Sequence, residues 1–178
     1  MRIAPRVPGF RIRPATLRDL DVLVRHHWRM WEDMGEGDRV ELDAADTVYR
    51  RWARQQMKTK RLVGFILKDA KGRAVASGCI WLRPKQPGLG NSLLPNPYLL
   101  SMYTEPNCRG RGLGTRIVRE AVRWCREHGY TRLILHASPQ GRGLYRRLGF
   151  ERTWEMRIKL LPSKHKSSRK RRERVTSS

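Results

Sequence analysis

No stretch of this sequence approaches the ~18 consecutive apolar residues of a membrane span, so no membrane-crossing helix is expected. The opening residues, "MRIAPRVPGF", hold two prolines and no apolar h-region, so a secretory signal is not expected there either. Cysteine is scarce. Cys79, Cys108 and Cys125 are odd in number and lack CxxC spacing, which predicts reduced thiols and a cytoplasmic protein. His26 and His27 have no partner ligands at metal spacing, so no metal is expected. There is no internal repeat. Acidic residues are few, 16 against 39 Lys and Arg, giving a formal net charge of +23.

What is present suffices for one globular domain, 178 residues of which 39% are hydrophobic. The excess of positive charge is uneven. The last sixteen residues, "SKHKSSRKRRERVTSS", carry seven Lys or Arg and one Glu, with almost nothing to bury. A domain over 1–162 followed by a disordered basic arm over 163–178 is the expectation, with nonspecific contact to polyanions such as RNA as the arm's use. Conversely, "WEDMGEGDRVELDAAD" (31–46) has seven acids against one Arg. It is either a solvated loop or a lining for a cationic ligand.

Hydrophobic spacing orders the elements. "FRIRPAT" (10–16) alternates as a short strand. Thr16 and Asp19 form an acidic capping box for a helix burying Leu20, Leu23, Val24, His27 or Trp28, and Trp31. A second helix is predicted from Asp43 to about Lys58, with Val48, Trp52 and Met57 inward. "RLVGFILKDAKGRAVASGCIWLRP" reads as a hairpin around Asp69–Gly72. Residues 84–97 are a loop by their Pro, Gly and Asn content. "YLLSMYT" (98–104) is apolar enough to be buried on both faces. A helix to His128 follows with Gly129 as its C′ residue, then a strand "TRLILHA" (131–137). A short helix with Ser138 as N-cap and Pro139 at its first position comes next, then a closing strand "ERTWEMRIKLL" (151–161). The fold class is α/β with a mixed, largely antiparallel sheet flanked by helices. The crossover from 98–104 to 131–137 predicts one parallel pair in its middle.

Between that strand and helix lies "NCRGRGLGT" (107–115). Glycines at a helix N-terminus make an anion site: free N–H groups converge, and missing Cβ atoms let phosphate approach the backbone. A nucleotide P-loop needs Gly-Lys-Ser/Thr, whereas Leu113, Gly114 and Thr115 follow Gly112 here. A dinucleotide-binding turn needs GxGxxG after an early strand, and this is a late GxGxG.

Arg109 to Gly114 matches R/Q-x-x-G-x-G/A, and "LYRRLGF" (144–150) follows about thirty residues later. With the element order from Phe10 to Leu161, these motifs resemble the GNAT superfamily of acyl-CoA-dependent N-acetyltransferases. The resemblance implies acetyl-CoA as cosubstrate and direct attack by a primary amine in a ternary complex. It implies that the backbone of Met102, Tyr103 and Thr104 pairs with the pantetheine arm. It further implies that the amides of Arg109, Gly110, Arg111, Gly112, Leu113 and Gly114, with Thr115, hold the pyrophosphate. Tyr145 would protonate the departing thiolate, which suits a phenol of pKa ~10. Neither central strand carries an internal carboxylate, and Ser138 stands where the family commonly has Asn. His136, Glu105, and Glu32 or Asp33 beside the acceptor entrance are the candidates for the base, His136 having an ordinary pKa near ~6.5.

The acceptor is then expected to be a cationic amine, small or peptidic, drawn by the acidic stretch through Glu32 and Asp33. Acetylation of a protein or RNA-linked amine, and a CoA-binding module that docks on nucleic acid without turnover, are the alternatives. A homodimer is left open.

Overall fold

The computed structural model describes residues 9–86 and 95–158. The basic arm, most of the loop after Arg83 and the end of the expected closing strand lie outside the described residues. Four strands form one antiparallel sheet in the order β1 (Arg11–Pro14), β2 (Leu62–Lys68), β3 (Ala74–Arg83) and β4 (Asn96–Thr104). Helices α1 (Leu20–Met34) and α2 (Arg39–Lys58) cover one face. Helix α3 (Leu113–Glu127) and the short α4 (Arg142–Arg147) cover the other.

Local chemistry sets most boundaries. Asp19 accepts hydrogen bonds from the Thr16 amide (2.8 Å) and from both ends of the Arg13 guanidinium (2.8 and 2.6 Å), tying β1 to the start of α1. In the β2–β3 turn, Asp69 Oδ1 accepts from the amides of Lys71 and Arg73 (3.0 and 2.9 Å). Gly129, at φ +76°, closes α3 as a left-handed residue that only glycine enters without strain.

Two helix expectations need correction. Helix α2 begins at Arg39, four residues early, because Asp38 and Glu41 form a reciprocal cap: Glu41 N–H donates to Asp38 (2.9 Å), and Asp38 N–H to Glu41 (3.2 Å). Its inner face carries Tyr49 and Ala53, while Val48 is 68% exposed. The Tyr49 ring, stacked on His27, takes the place predicted for valine. In the last helix the Ser138 hydroxyl does accept from an amide, that of Gly141 (3.2 Å), but the α-helix starts only at Arg142.

The expected strands β1 to β4 form, while the last two differ more instructively. β4 starts at Asn96, and its residues alternate between buried and half-buried rather than being sealed on both faces. Among the described residues, 131–137 form no ladder. They touch β4 through a single parallel bridge, Tyr98 with Ile134, held by Leu99 N–H to Ile134 O (2.8 Å) and Ile134 N–H to Pro97 O (3.1 Å). The expected parallel pair therefore exists for one step and then splays. Residues 151–158 keep the alternating pattern, yet Trp154 is 98% exposed and no strand of the described residues lies beside them. Periodicity selects an extended conformation, but a strand also needs a ladder partner, and these residues have none among the described ones.

Gly78 shows how tightly β3 sits under α3. A Cβ there would lie 2.3 Å from Met102 Sδ and 2.8 Å from Ile117 Cγ2. Gly78→Val is expected to destabilise the fold by roughly 1–3 kcal/mol through overpacking, read as a lower urea midpoint. An unchanged midpoint would disprove the close approach.

Candidate active site

The glycine loop departs from β4 through a turn of 3₁₀-helix, Pro106–Cys108. Gly110 and Gly112 have φ of +75° and +72°, and Gly112 is the N-cap of α3. An added Cβ would meet nothing within 4 Å at either, so these glycines serve conformation and an open approach, not packing. Gly114 differs: its Cβ would meet Leu144 of α4 at 3.3 Å, which brings the two motifs of the sequence together.

Leu113 anchors the helix start in the core. The first internal bond of α3 is Arg116 N–H to Gly112 O (3.1 Å). Among the described residues the amides from Gly110 to Thr115 find no acceptor, which leaves six consecutive donors at the positive end of a helix. Arg109 stands apart from them. Its amide bonds to Pro106 O (3.2 Å), and its guanidinium is held by Thr104 O (2.9 Å) and by Asp33. Arg111 is exposed beside the free amides.

The edge of β4 leads to this loop. Ser101 sits at φ +52° in a bulge, its hydroxyl 3.2 Å from that of Tyr49. Leu100 and Ser101 consequently both face α1 and α2. Glu105 N–H points to Val75 O of β3 (2.9 Å). By alternation the backbone of Tyr103 also faces β3, and that of Met102 and Thr104 faces the open edge. Of the three expected pantetheine contacts, Met102 and Thr104 lie on that edge, where the Thr104 carbonyl already accepts from Arg109.

Glu105 lies toward α1. It accepts from Arg29 (2.8 Å) and from the Tyr103 hydroxyl (3.3 Å), and His26 Nε2 is 3.6 Å from its other oxygen. His26, fully buried, was not singled out by the helical spacing. Its Nδ1 is 2.8 Å from Ser77 Oγ of β3. Burial, then the nearby Arg25 and Arg29, push its pKa down to about 4; burial alone does the same to His27. Both imidazoles stay neutral in the folded protein, whereas the unfolded chain takes up protons from ~6.5 downward. Stability is therefore complete above pH ~6.5 and lost progressively down to about 4. Urea midpoints measured across that window should fall with pH, and less steeply in His26→Asn.

At the vertex of the splay, His136 bridges two partners. Its Nε2 lies 2.6 Å from Glu155 Oε1, and its Nδ1 meets the Tyr98 hydroxyl. A carboxylate only accepts, so Nε2 carries the hydrogen and Nδ1 accepts from the phenol. Tyr145 stands on α4 against Phe150 (ring centroids 5.7 Å apart), its phenol pushed up to about 12 by burial and, next, by Tyr98. The structure thus joins His136 to Tyr98, sets Tyr145 within electrostatic reach of Tyr98, and leaves Glu105 in a separate ionic cluster. Tyr98 and Glu155 had no motif to announce them; an aromatic near the start of an apolar strand is the only local signal.

The acids of the 31–46 stretch are largely engaged within the fold. Asp33 pairs with Arg109, Asp43 accepts from Trp28 Nε1 (3.0 Å), and Asp38 and Glu41 cap α2. Glu32 is exposed on the last turn of α1. Their pairing weakens the case for an acidic lining.

A bulged strand, a partner that splays from it and a helix N-terminus beyond define an acyltransferase of the α/β type. The chain belongs to the acetyltransferase (GNAT) family, whose sequence model matches residues 21–150. The fold agrees with a GCN5-related N-acetyltransferase of Ralstonia eutropha (TM-score 0.77, 27% identity, 85% of this chain and 99% of that one). It agrees equally with a Clostridium acetobutylicum acetyltransferase solved with acetyl-CoA (TM-score 0.76, 26% identity, 85% and 96%). In sequence, a rice protein described as a probable glucosamine 6-phosphate N-acetyltransferase is 31% identical over 80 residues, 45% of this chain and 46% of its own length. A rice chloroplastic serotonin N-acetyltransferase is 36% identical over 55 residues, 31% of this chain and 28% of its own.

Proposed function

We propose that this protein transfers the acetyl group of acetyl-CoA to a primary amine by direct attack in a ternary complex. The observation that carries the proposal is the row of six unpaired amides, Gly110 to Thr115, at the end of an open-edged, bulged strand. Phosphate oxygens satisfy such amides in a way that no side chain of the described residues does. The pantetheine arm lies along the free edge at Met102 and Thr104, and the thioester falls near the vertex beside Tyr98, His136 and Tyr145. Related proteins are named for acceptors as different as an amino-sugar phosphate and serotonin, so the donor is better supported than the acceptor.

As the amine attacks, its nitrogen becomes positive and must lose a proton. The Tyr98 oxygen accepts it while the Tyr98 hydroxyl proton passes to His136 Nδ1, and Glu155 steadies the imidazolium through Nε2–H. The tetrahedral intermediate then collapses, the C–S bond breaks, and the leaving thiolate takes the Tyr145 phenolic proton. A phenol held near 12 is fully protonated at neutral pH and available for that transfer.

Acetyl-CoA at ten times its Kd should stabilise the protein by roughly 1.4 kcal/mol in a thermal-shift titration. Thiol release with a panel of amino sugars, amino acids, polyamines and peptides then tests turnover. Tyr145→Phe is expected to lower kcat by roughly 10²–10³-fold with the acetyl-CoA shift intact. A wild-type rate in that variant removes Tyr145 from the leaving-group step.

A further inference from the structure

Beside the relay lies a group that the transfer chemistry leaves unused. Trp81 of β3 pairs directly with Tyr98 of β4, and Arg83, two residues on, pairs with Asn96 on the same face. The Arg83 guanidinium carbon lies 4.5 Å from the Tyr98 ring centroid and 6.0 Å from that of Trp81. The guanidinium thus lies within cation–π reach of both rings, and no carboxylate of the described residues pairs with it. A second cation, Arg157, also acts electrostatically on the Tyr98 phenol, against a single carboxylate, Glu155. That carboxylate is already bound by His136.

We propose that Arg83 is a specificity-determining residue that binds an anionic group, phosphate or carboxylate, on the amine acceptor. This rests on the acetyl transfer proposed above. It reverses the expectation of a cationic acceptor, which came from charge in the 31–46 stretch before its internal pairing was visible. The guanidinium sits over the ring whose hydroxyl receives the amine proton. Amine and anion in the acceptor are therefore separated by a distance comparable to one aromatic ring, as in a small amino-sugar phosphate or an amino acid. A polyamine would place a second cation against Arg83, and like charges there oppose binding.

Matched acceptors decide it: glucosamine 6-phosphate against glucosamine for phosphate, alanine against alaninamide for carboxylate, with spermidine as the cationic arm. Each is followed by thiol release and by calorimetric titration into the protein saturated with CoA. For at least one pair the anionic member should be favoured roughly 10–100-fold, the range of a charge-assisted hydrogen bond. Arg83→Gln should collapse that ratio toward one, and Arg83→Lys should keep part of it. The acetyl-CoA thermal shift of each variant reports that the fold and donor site are intact.

Preference for spermidine or the neutral members overturns the inference while leaving acetyl transfer standing. So does a ratio that survives Arg83→Gln. Selective binding of the anionic member without thiol release, lost in Arg83→Gln, supports the anion site and overturns the transfer reaction instead. Failure of every anionic member to bind the wild-type complex overturns the anion site outright.

Discussion

Gly112→Asp is expected to abolish detectable acetyl-CoA binding while leaving the free protein folded and nearly as stable. Gly112 is the N-cap of α3 at φ +72°, with open space where a Cβ would stand. Aspartate tolerates the left-handed region better than most residues and is a favoured N-cap, since its carboxylate accepts from the free amides of the first turn. Those are the amides proposed for the pyrophosphate. The substitution therefore fills the anion site with an anion of its own. It offsets its backbone strain, about 1–2 kcal/mol, with a cap worth about as much. Two like charges contending for one cluster of donors should weaken the ligand at least roughly 100-fold. Gly112→Ala brings the strain without the charge, and should lower the melting temperature while retaining most of the affinity. If the aspartate variant binds acetyl-CoA within a few-fold of wild type, the pyrophosphate lies elsewhere.

The second large effect belongs to His136. His136→Ala removes the terminal proton acceptor of the proposed relay and is expected to lower kcat by roughly 10²–10⁴-fold, with the KM for acetyl-CoA little changed. Tyr98→Phe breaks the same chain one atom earlier, so the double variant should be barely slower than either single one, a non-additivity that separate roles would not give. Glu155→Gln keeps the hydrogen bond to Nε2 but loses the charge, and should cost less. Glu105→Gln separates the rival base. Glu105 bonds to Arg29 and Tyr103 and lies by His26, away from the vertex, so its loss should lower the urea midpoint more than kcat. A kcat that collapses in Glu105→Gln but survives His136→Ala would exchange the two assignments.

The parts of this site that the sequence displayed are those whose chemistry is local. The glycine loop is legible because a left-handed N-cap and free first-turn amides are properties of a few neighbouring residues. Asp69 in its turn and Thr16–Asp19 before α1 are legible for the same reason. Tyr98, His136 and Glu155 meet only after the chain has passed through α3 and α4, and no spacing rule spans such a loop. His26 sits beside His27 on one helix. The hydrophobic pattern could not say which of the two goes inward, since that choice follows from Ser77 on β3 and from Tyr103, whose ring centroid lies 4.9 Å away. The acidic stretch is a related case: composition counts charges, whereas pairing with Arg109 and Trp28 and the capping of α2 decide how many are left to act on a ligand.

The bulge at Ser101 has a consequence beyond the strand that contains it. Before it, Pro97 and Leu99 face the open edge and are sewn to Ile134; after it, that edge passes to Met102 and Thr104. A regular strand would have presented residues 99, 101 and 103 at even intervals, and the chain from Ile134 could have closed along it like a zip. The extra residue shifts the teeth by one place, so closure stops after a single step. A one-residue deletion at Ser101 should thus do more than remove a hydroxyl: it would let the zip run on, sealing the wedge proposed to admit the thioester and yielding a tighter sheet.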